Sequence, residues 1–314
     1  MRINVKLTLQ SGWLLLCVFA IPFHMFGQSQ TPTAPSSAPS VPPASSAQST
    51  DTTTSAPSAL RPPRYTPNYT NTGSGLSLEP IYWLPYGHPL LHTGDYNNTL
   101  TPGDFAYPGN PDRSIGGTIV VPAGKDASVR VNYFQTKMTG GSVSSQNLNL
   151  FGVAIPGGDP LASQAKITNF KASYDFVTYY WNKKGGDLRF KTLYEVQYLS
   201  IDSTIDDFQL QTDGTYNINP TGATKSIILP TFGVGLDQTV SKHFRWEVRG
   251  SGWALPHRSE IGDAEGDIAV RYGRVELIAG ARVFYFRTTR RSDHFIDGTL
   301  AGPYVGLRLY WKKN

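Results

Sequence analysis

The sequence predicts an all-β fold: a closed antiparallel transmembrane β-barrel of about ten strands, within a range of about 8 to 12, preceded by a disordered tether. Three observations support it: long segments alternate apolar and polar residues, tight turns alternate with long loops, and the chain starts with a secretory signal pattern. The composition agrees, because 12% of the 314 residues are aromatic and only 16% are charged.

The first 27 residues form the predicted signal peptide. Arg2 and Lys6 precede an apolar core at residues 13–23, which is shorter than the roughly 20 residues of a membrane-spanning helix. Gly27 is the small residue that fits the position before the cut. Cys17 is the only cysteine and lies inside the apolar core, so we expect a mature chain without disulfides or thiol sites.

Residues 28–66 form the predicted tether. From residue 29 to residue 63 the chain is almost wholly Ser, Thr, Pro, Ala and Gln, and Asp51 is the only charge before Arg61. Such a segment has too little apolar surface to offset the entropy of ordering it. We expect an extended, mobile spacer in the periplasm, with a segment that reaches toward peptidoglycan or a partner as the alternative.

Residues 67–314 form the predicted barrel domain, whose strands are identified by alternation. In one segment Trp246 and Val248 occupy one face, whereas Arg245, Glu247 and Arg249 occupy the other. A wall between lipid and a polar lumen requires this pattern, and the sheet must close because no strand edge stays unpaired in lipid. A soluble β-sandwich is the alternative, but Arg and Glu recur opposite each aliphatic stripe.

Two classes of connection separate the strands. With a first strand at residues 76–84, their alternation gives ten strands with both termini in the periplasm. The tight turns are expected at residues 123–126, 183–186, 241–243 and 272–274. The long outer loops are expected at residues 86–113, 139–160, 202–224, 257–265 and 289–298.

The barrel pattern resembles the small outer-membrane β-barrel proteins of Gram-negative bacteria, which include porin-like and opacity-like barrels. The resemblance covers the chain from about Ser74 to Trp311. It implies a place in the outer membrane, contact with outer-membrane lipid and lipopolysaccharide, and insertion by the barrel-assembly machinery. The C-terminal assembly signal of that family is matched at Val305, Leu307, Leu309 and Trp311, whereas Lys312, Lys313 and Asn314 extend beyond it.

Twelve ionisable residues are expected to face the lumen, with more basic than acidic members. Isolated buried charge is costly, so the mixed set predicts a network of ion pairs that fills or strongly constricts the interior. A narrow pore with a mild preference for anions is the alternative. The twelve are Arg130, Lys171, Asp175, Arg189, Lys191, Glu195, Arg245, Glu247, Arg249, Glu276, Arg282 and Arg308.

The expected function is a non-enzymatic structural, narrow-pore or surface-binding role. The long loops at residues 86–113 and 139–160 are rich in Gly, Pro and Asn, and we expect them outside the cell, where they bind an extracellular ligand. The alternative function uses His257 and Ser259, which resemble the His-x-Ser arrangement of outer-membrane lipid A deacylases. Glu260 or Asp263 would orient that histidine.

Other chemistry is not expected. Loss of Arg2 and Lys6 with the signal lowers the net charge from +5 to +3, which is too small to indicate a nucleic-acid partner. No cofactor motif occurs. Among the histidines only the spacing of His88, His92 and Asp95 suggests a loose metal site, and a solvated loop explains that spacing better.

Overall fold

A computed structural model describes residues 75–93, 104–124, 126–183, 186–255, 258–289 and 294–311. The predicted signal peptide and tether lie outside these ranges, and so do Asp95, His257 and the last three residues. No helix in the described part of the chain is long and apolar enough to cross a membrane. Its regular structure consists of β-strands.

The described residues form fourteen strands that differ widely in length. β8, β9 and β10 are the longest, with 24, 25 and 24 residues. The strands are β1 (Leu76–Trp83), β2 (Leu90–Thr93), β3 (Phe105–Ala106), β4 (Ser114–Pro122), β5 (Ala127–Val143), β6 (Leu148–Leu150), β7 (Val153–Ile155), β8 (Pro160–Lys183), β9 (Gly186–Leu210), β10 (Tyr216–Thr239), β11 (Phe244–Ala254), β12 (Glu260–Tyr272), β13 (Val275–Arg287) and β14 (His294–Trp311).

Ten of these strands close into a barrel. They pair antiparallel in the order β1, β4, β5, β8, β9, β10, β11, β12, β13 and β14, and β14 pairs again with β1. In that closing pair Leu76 lies opposite Trp311 and Trp83 lies opposite Tyr304. The ring leaves no sheet edge exposed to lipid, as a membrane barrel requires. The predicted ten-stranded antiparallel barrel is confirmed.

The two ends of the barrel differ as predicted. The lower end holds the start of β1, the end of β14 and short turns after β4, β8, β10 and β12. Gly124 and Gly273 have φ angles of 110° and 63°, which favour glycine, in two of these turns. The upper end holds the longer connections. Two short pairs of strands lie there: β2 pairs with β14 and β3 and extends the barrel sheet, whereas β6 and β7 form a separate two-stranded sheet.

Several predicted loop boundaries are wrong. The loop expected at residues 202–224 is a turn at 211–215, because β9 and β10 continue pairing up to Leu210 and Tyr216. The loop expected at 257–265 ends earlier, because β12 begins at Glu260. The outward residues of β12 include Gly262, Ala264 and Gly266, which are too small to read as an apolar stripe and so hide the alternation.

The outer face divides the long strands into two parts. Along the lower half of β8, Phe170, Tyr174, Phe176 and Trp181 are all 42–44% exposed and form part of an apolar belt. Above Phe170 the outward positions turn polar, beginning at Thr168. A tilted strand needs only about 9–11 residues to cross a bilayer, so the upper halves of β8, β9 and β10 rise above the lipid.

The inner face of the barrel shows the opposite arrangement to the outer face, with polar residues below and apolar residues above. At the level of the lipid belt the inner face is ionic, and above it the inner face is apolar. The short elements β2, β3, β6 and β7, together with Tyr107, pack into this upper core. Its members include Trp83, Leu91, Phe105, Tyr107, Phe134, Met138, Leu148, Leu150, Ile155, Ile167, Leu199, Ile201, Ile205, Phe284, Phe286, Ile296 and Leu300.

Candidate functional site

The structure places all twelve predicted lumen residues on the inner wall, and each forms an ion pair there. Strand alternation explains their orientation: Glu247 and Arg249 are 1% and 3% exposed, whereas Val248 between them is 37% exposed. Arg189 and Arg245, which lie near the lower end, keep 15% and 12% of their side chains exposed.

Five further acidic residues of the lumen were missed from the sequence. With them the ionic part of the lumen, as far as the structure describes it, holds eight basic and nine acidic side chains, so the expected excess of basic residues is wrong. Three lie on β12 at every second position, a signal that the sequence contained but that the small residues between them concealed. The five are Glu79, Asp237, Asp263, Glu265 and Asp267.

Arg249 lies at the centre of the network. Its Nη1 is 2.8 Å from Asp175 Oδ2, and its Nη2 is 3.5 Å from Glu195 Oε1. Its Nε is 3.5 Å from Glu265 Oε1, and Glu247 Oε1 lies 3.8 Å from Nη1. A guanidinium suits this position because it offers five donors in one plane and is always charged. The side chain therefore joins β8, β9, β11 and β12 across the lumen.

A second layer lies below Arg249, toward the lower end. Arg308 Nη2 is 2.7 Å from Glu79 Oε2, and its Nη1 is 3.0 Å from Glu276 Oε2. Lys191 Nζ is 3.1 Å from Glu247 Oε1, which also accepts from Arg130 Nη2 at 3.1 Å. Each buried cation thus has a carboxylate partner, as the cost of isolated buried charge demands.

Arg282 marks the boundary between the ionic and apolar layers. Its Nη2 and the Nζ of Lys171 both lie 2.6 Å from Asp263 Oδ2. The guanidinium carbon lies 4.5 Å from the ring centroid of Phe134, so Arg282 donates to Asp263 through its N–H groups and also contacts an aromatic ring. A cavity of about 10 Å³ beside Arg282 has room for about one water molecule.

Aromatic rings fill the lumen directly above Arg282. Phe134 makes edge contacts with Trp83 and Phe284 at centroid distances of 5.2 and 5.1 Å. Phe284 contacts Phe286 at 5.7 Å. Because these residues come from β1, β5 and β13, the ring cluster spans the barrel from one wall to the other. All four rings are 2% exposed or less, so they form a packed cluster within the lumen.

Loop residues close the upper end. Tyr107 hydrogen-bonds to Ser203 of β9, and burial raises the pKa of this phenol to about 12. Leu150 and Ile155, from β6 and β7, are 0% and 1% exposed. The described parts of the long loops, which were expected to bind an extracellular ligand, therefore contribute apolar side chains to the plug.

The metal site considered from sequence is described only in part, because Asp95 lies outside the described residues. His92 Nδ1 lies 2.9 Å from Asp104 Oδ1, and its Nε2 lies 3.2 Å from Asp297 Oδ1. Asp297 also accepts from Arg287 Nε at 3.1 Å. These contacts fasten β2 to β14. The described residues contain no group of three or more potential ligands with metal-binding geometry.

The hydrolase arrangement is only partly described, since His257 lies outside the described residues. Ser259 is 6% exposed. Asp263 is occupied by Lys171 and Arg282, and Glu260 accepts from Tyr285 and Arg287. Asp263 accepts hydrogen bonds at both carboxylate oxygens, whereas the bonds to Glu260 both go to Oε2.

Comparison with solved structures identifies the fold. The outer membrane protease OmpT from Escherichia coli has a TM-score of 0.51 at 9% identity, covering 76% of this chain and 98% of that chain. Ail of Yersinia pestis, bound to the heparin analogue sucrose octasulfate, has a TM-score of 0.32 at 11% identity, covering 76% and 100%. The toluene transporter TodX of P. putida has 0.29 at 11%, covering 77% and 92%.

No protein-family model and no curated protein matches the sequence. The fold is that of the outer-membrane β-barrel proteins. At 9% identity the likeness to OmpT is one of fold and does not extend to its activity.

Proposed function

We propose that the protein is a closed, non-catalytic barrel that is anchored in the outer membrane and carries a binding surface above the lipid. The upper end is then extracellular, and the predicted tether at residues 28–66 lies in the periplasm. The observation that carries the proposal is the double closure of the lumen. Ion pairs fill the lower part and an apolar core fills the upper part.

The closure is poorly suited to transport. A solute pathway needs polar groups that bind weakly enough to release the solute, whereas each of the eight basic side chains of the ionic layers is paired with a carboxylate. The extracellular surface is the remaining place for a function. The upper halves of β8, β9 and β10 hold that surface rigidly, because their 24 to 25 residues continue the barrel above the membrane.

Electrical recording tests the closure. We expect refolded protein in planar bilayers to show no stable single-channel conductance. The matched variant Arg130→Ala, Arg249→Ala, Phe134→Ala removes side chains from both layers and should produce current. A large, stable conductance of the unmodified protein would contradict the proposal and favour a pore.

Lipid analysis tests the absence of catalysis. We expect lipid A from cells that express the protein to keep its mass, because Ser259 is buried and Asp263 is occupied by Lys171 and Arg282. The control compares Ser259→Ala and His257→Ala with the unmodified protein. Loss of one acyl chain that disappears in both variants would establish the deacylase alternative.

A further inference from the structure

Among the described residues, three basic side chains at the upper part of the outer wall have no carboxylate within ion-pair distance, unlike those of the ionic lumen. They are Arg113, just before β4, Lys137 of β5 and Lys166 of β8; we call them the basic cluster. Lys137 and Lys166 lie directly opposite each other on paired strands. No ion pair among the described residues includes a member of the cluster.

Arg113 belongs to the same surface as the lysines. The backbone N–H of its neighbour Asp112 donates to the carbonyl oxygen of Lys137 at 2.6 Å, so this part of the chain lies against β5. Ser114 on its other side is fully buried, whereas Arg113 and Lys137 are exposed and Lys166 is half-buried. Like charges placed directly opposite on neighbouring strands destabilise a sheet, and Asp202 of β9, opposite Lys166 on its other side, offsets part of that cost without forming an ion pair.

The basic cluster lies just above the apolar belt. Tyr133 and Phe170, which are paired across β5 and β8, are 42% and 44% exposed and form the top of the belt on these strands. Gln135 and Thr168 are paired one step higher, and Lys137 and Lys166 follow at the next step. The order from the membrane outward is therefore aromatic, uncharged polar and basic.

We propose that the basic cluster binds the phosphate groups of lipid A in the outer leaflet. This inference rests on the proposed orientation, in which the upper end is extracellular, but not on the closure of the lumen. Lipid phosphates lie where the hydrocarbon ends, which is the level of the cluster. Two ammonium groups and a guanidinium form charge-assisted hydrogen bonds with phosphate oxygens, and Gln135 and Thr168 face the level of the sugar groups.

Native mass spectrometry of the mature protein in dodecyl maltoside micelles tests the site with bisphosphorylated lipid A as the probe. The unmodified protein should retain lipid A. The triple variant Arg113→Gln, Lys137→Gln, Lys166→Gln should bind it roughly 10- to 100-fold more weakly, because charged hydrogen bonds are lost. The matched control Lys242→Gln, Arg274→Gln removes two charges at the lower end and should bind like the unmodified protein.

Three results would overturn the proposal. These are equal affinity of the triple variant, equal affinity for lipid A without phosphates, and equal affinity for phosphatidylglycerol. The last would assign the cluster to lipid phosphate in general. Urea unfolding without lipid A separates binding from folding, since the triple variant should be about as stable when both the repulsion between the lysines and the attraction of Asp202 are removed. A closed lumen in bilayer recordings would be unaffected by any of these results.

Discussion

Replacing Arg249 with methionine should lower the free energy of unfolding by about 3–5 kcal/mol, which is the cost of removing one partner of a buried ion pair. The side chain is 2% exposed and lies within 4 Å of Asp175, Glu195, Glu247 and Glu265. Without Arg249 these four carboxylates remain close together, and less positive charge offsets their mutual repulsion. Urea titration of tryptophan fluorescence in lipid vesicles measures the change.

Two control variants separate charge from volume. Arg258 is exposed at the upper end, so Arg258→Met should change stability little. Arg249→Lys keeps the charge but loses the planar fork, and it should fall between the unmodified protein and Arg249→Met. Equal unfolding midpoints for Arg249→Met and Arg258→Met would show that the ion network does not stabilise the fold.

Replacing Phe284 with alanine should also cost about 3–5 kcal/mol, because it opens a cavity in a packed core. Phe284 is fully buried and contacts the rings of Phe134 and Phe286. The same substitution at Phe232, which is 48% exposed on the outer wall, should cost less since lipid refills the space. The same urea titration compares them, and an equal loss at both sites would show that the upper lumen is not a packed core.

Local alternation made the strand orientations predictable. Side chains of a β-strand point alternately to the two faces of the sheet. Arg245, Glu247 and Arg249 could therefore be assigned to the inner face without knowledge of their neighbours on other strands. The tight turns were predictable for the same local reason, because Gly124 and Gly273 mark backbone conformations that other residues rarely adopt. The inward acidic residues of β12 were not predicted, because the outward positions between them hold glycine and alanine and so lack an apolar stripe.

The partners of the lumen residues were not predictable from the sequence. Arg130 meets Glu247, 117 residues away, and Arg308 meets Glu79 at a separation of 229. Such contacts exist only after the ring closes and brings opposite walls within the reach of a side chain. Closure of the ring also sets the balance of charge in the lumen. Glu79 and Asp237 join the ion-pair network only through partners on other strands.

The sequence by itself thus determined the barrel class, the strand count and the inward position of twelve charged residues, because strand periodicity and turn chemistry act over a few residues. Only the tertiary structure decided that the upper lumen is apolar. Leu91, Phe105 and Leu150 lie in segments that look like open loops, and they become core residues only when the barrel gives them an apolar wall to pack against. Burying that surface favours a plug over free loops, since each buried aliphatic or aromatic side chain contributes about 1.5–3 kcal/mol.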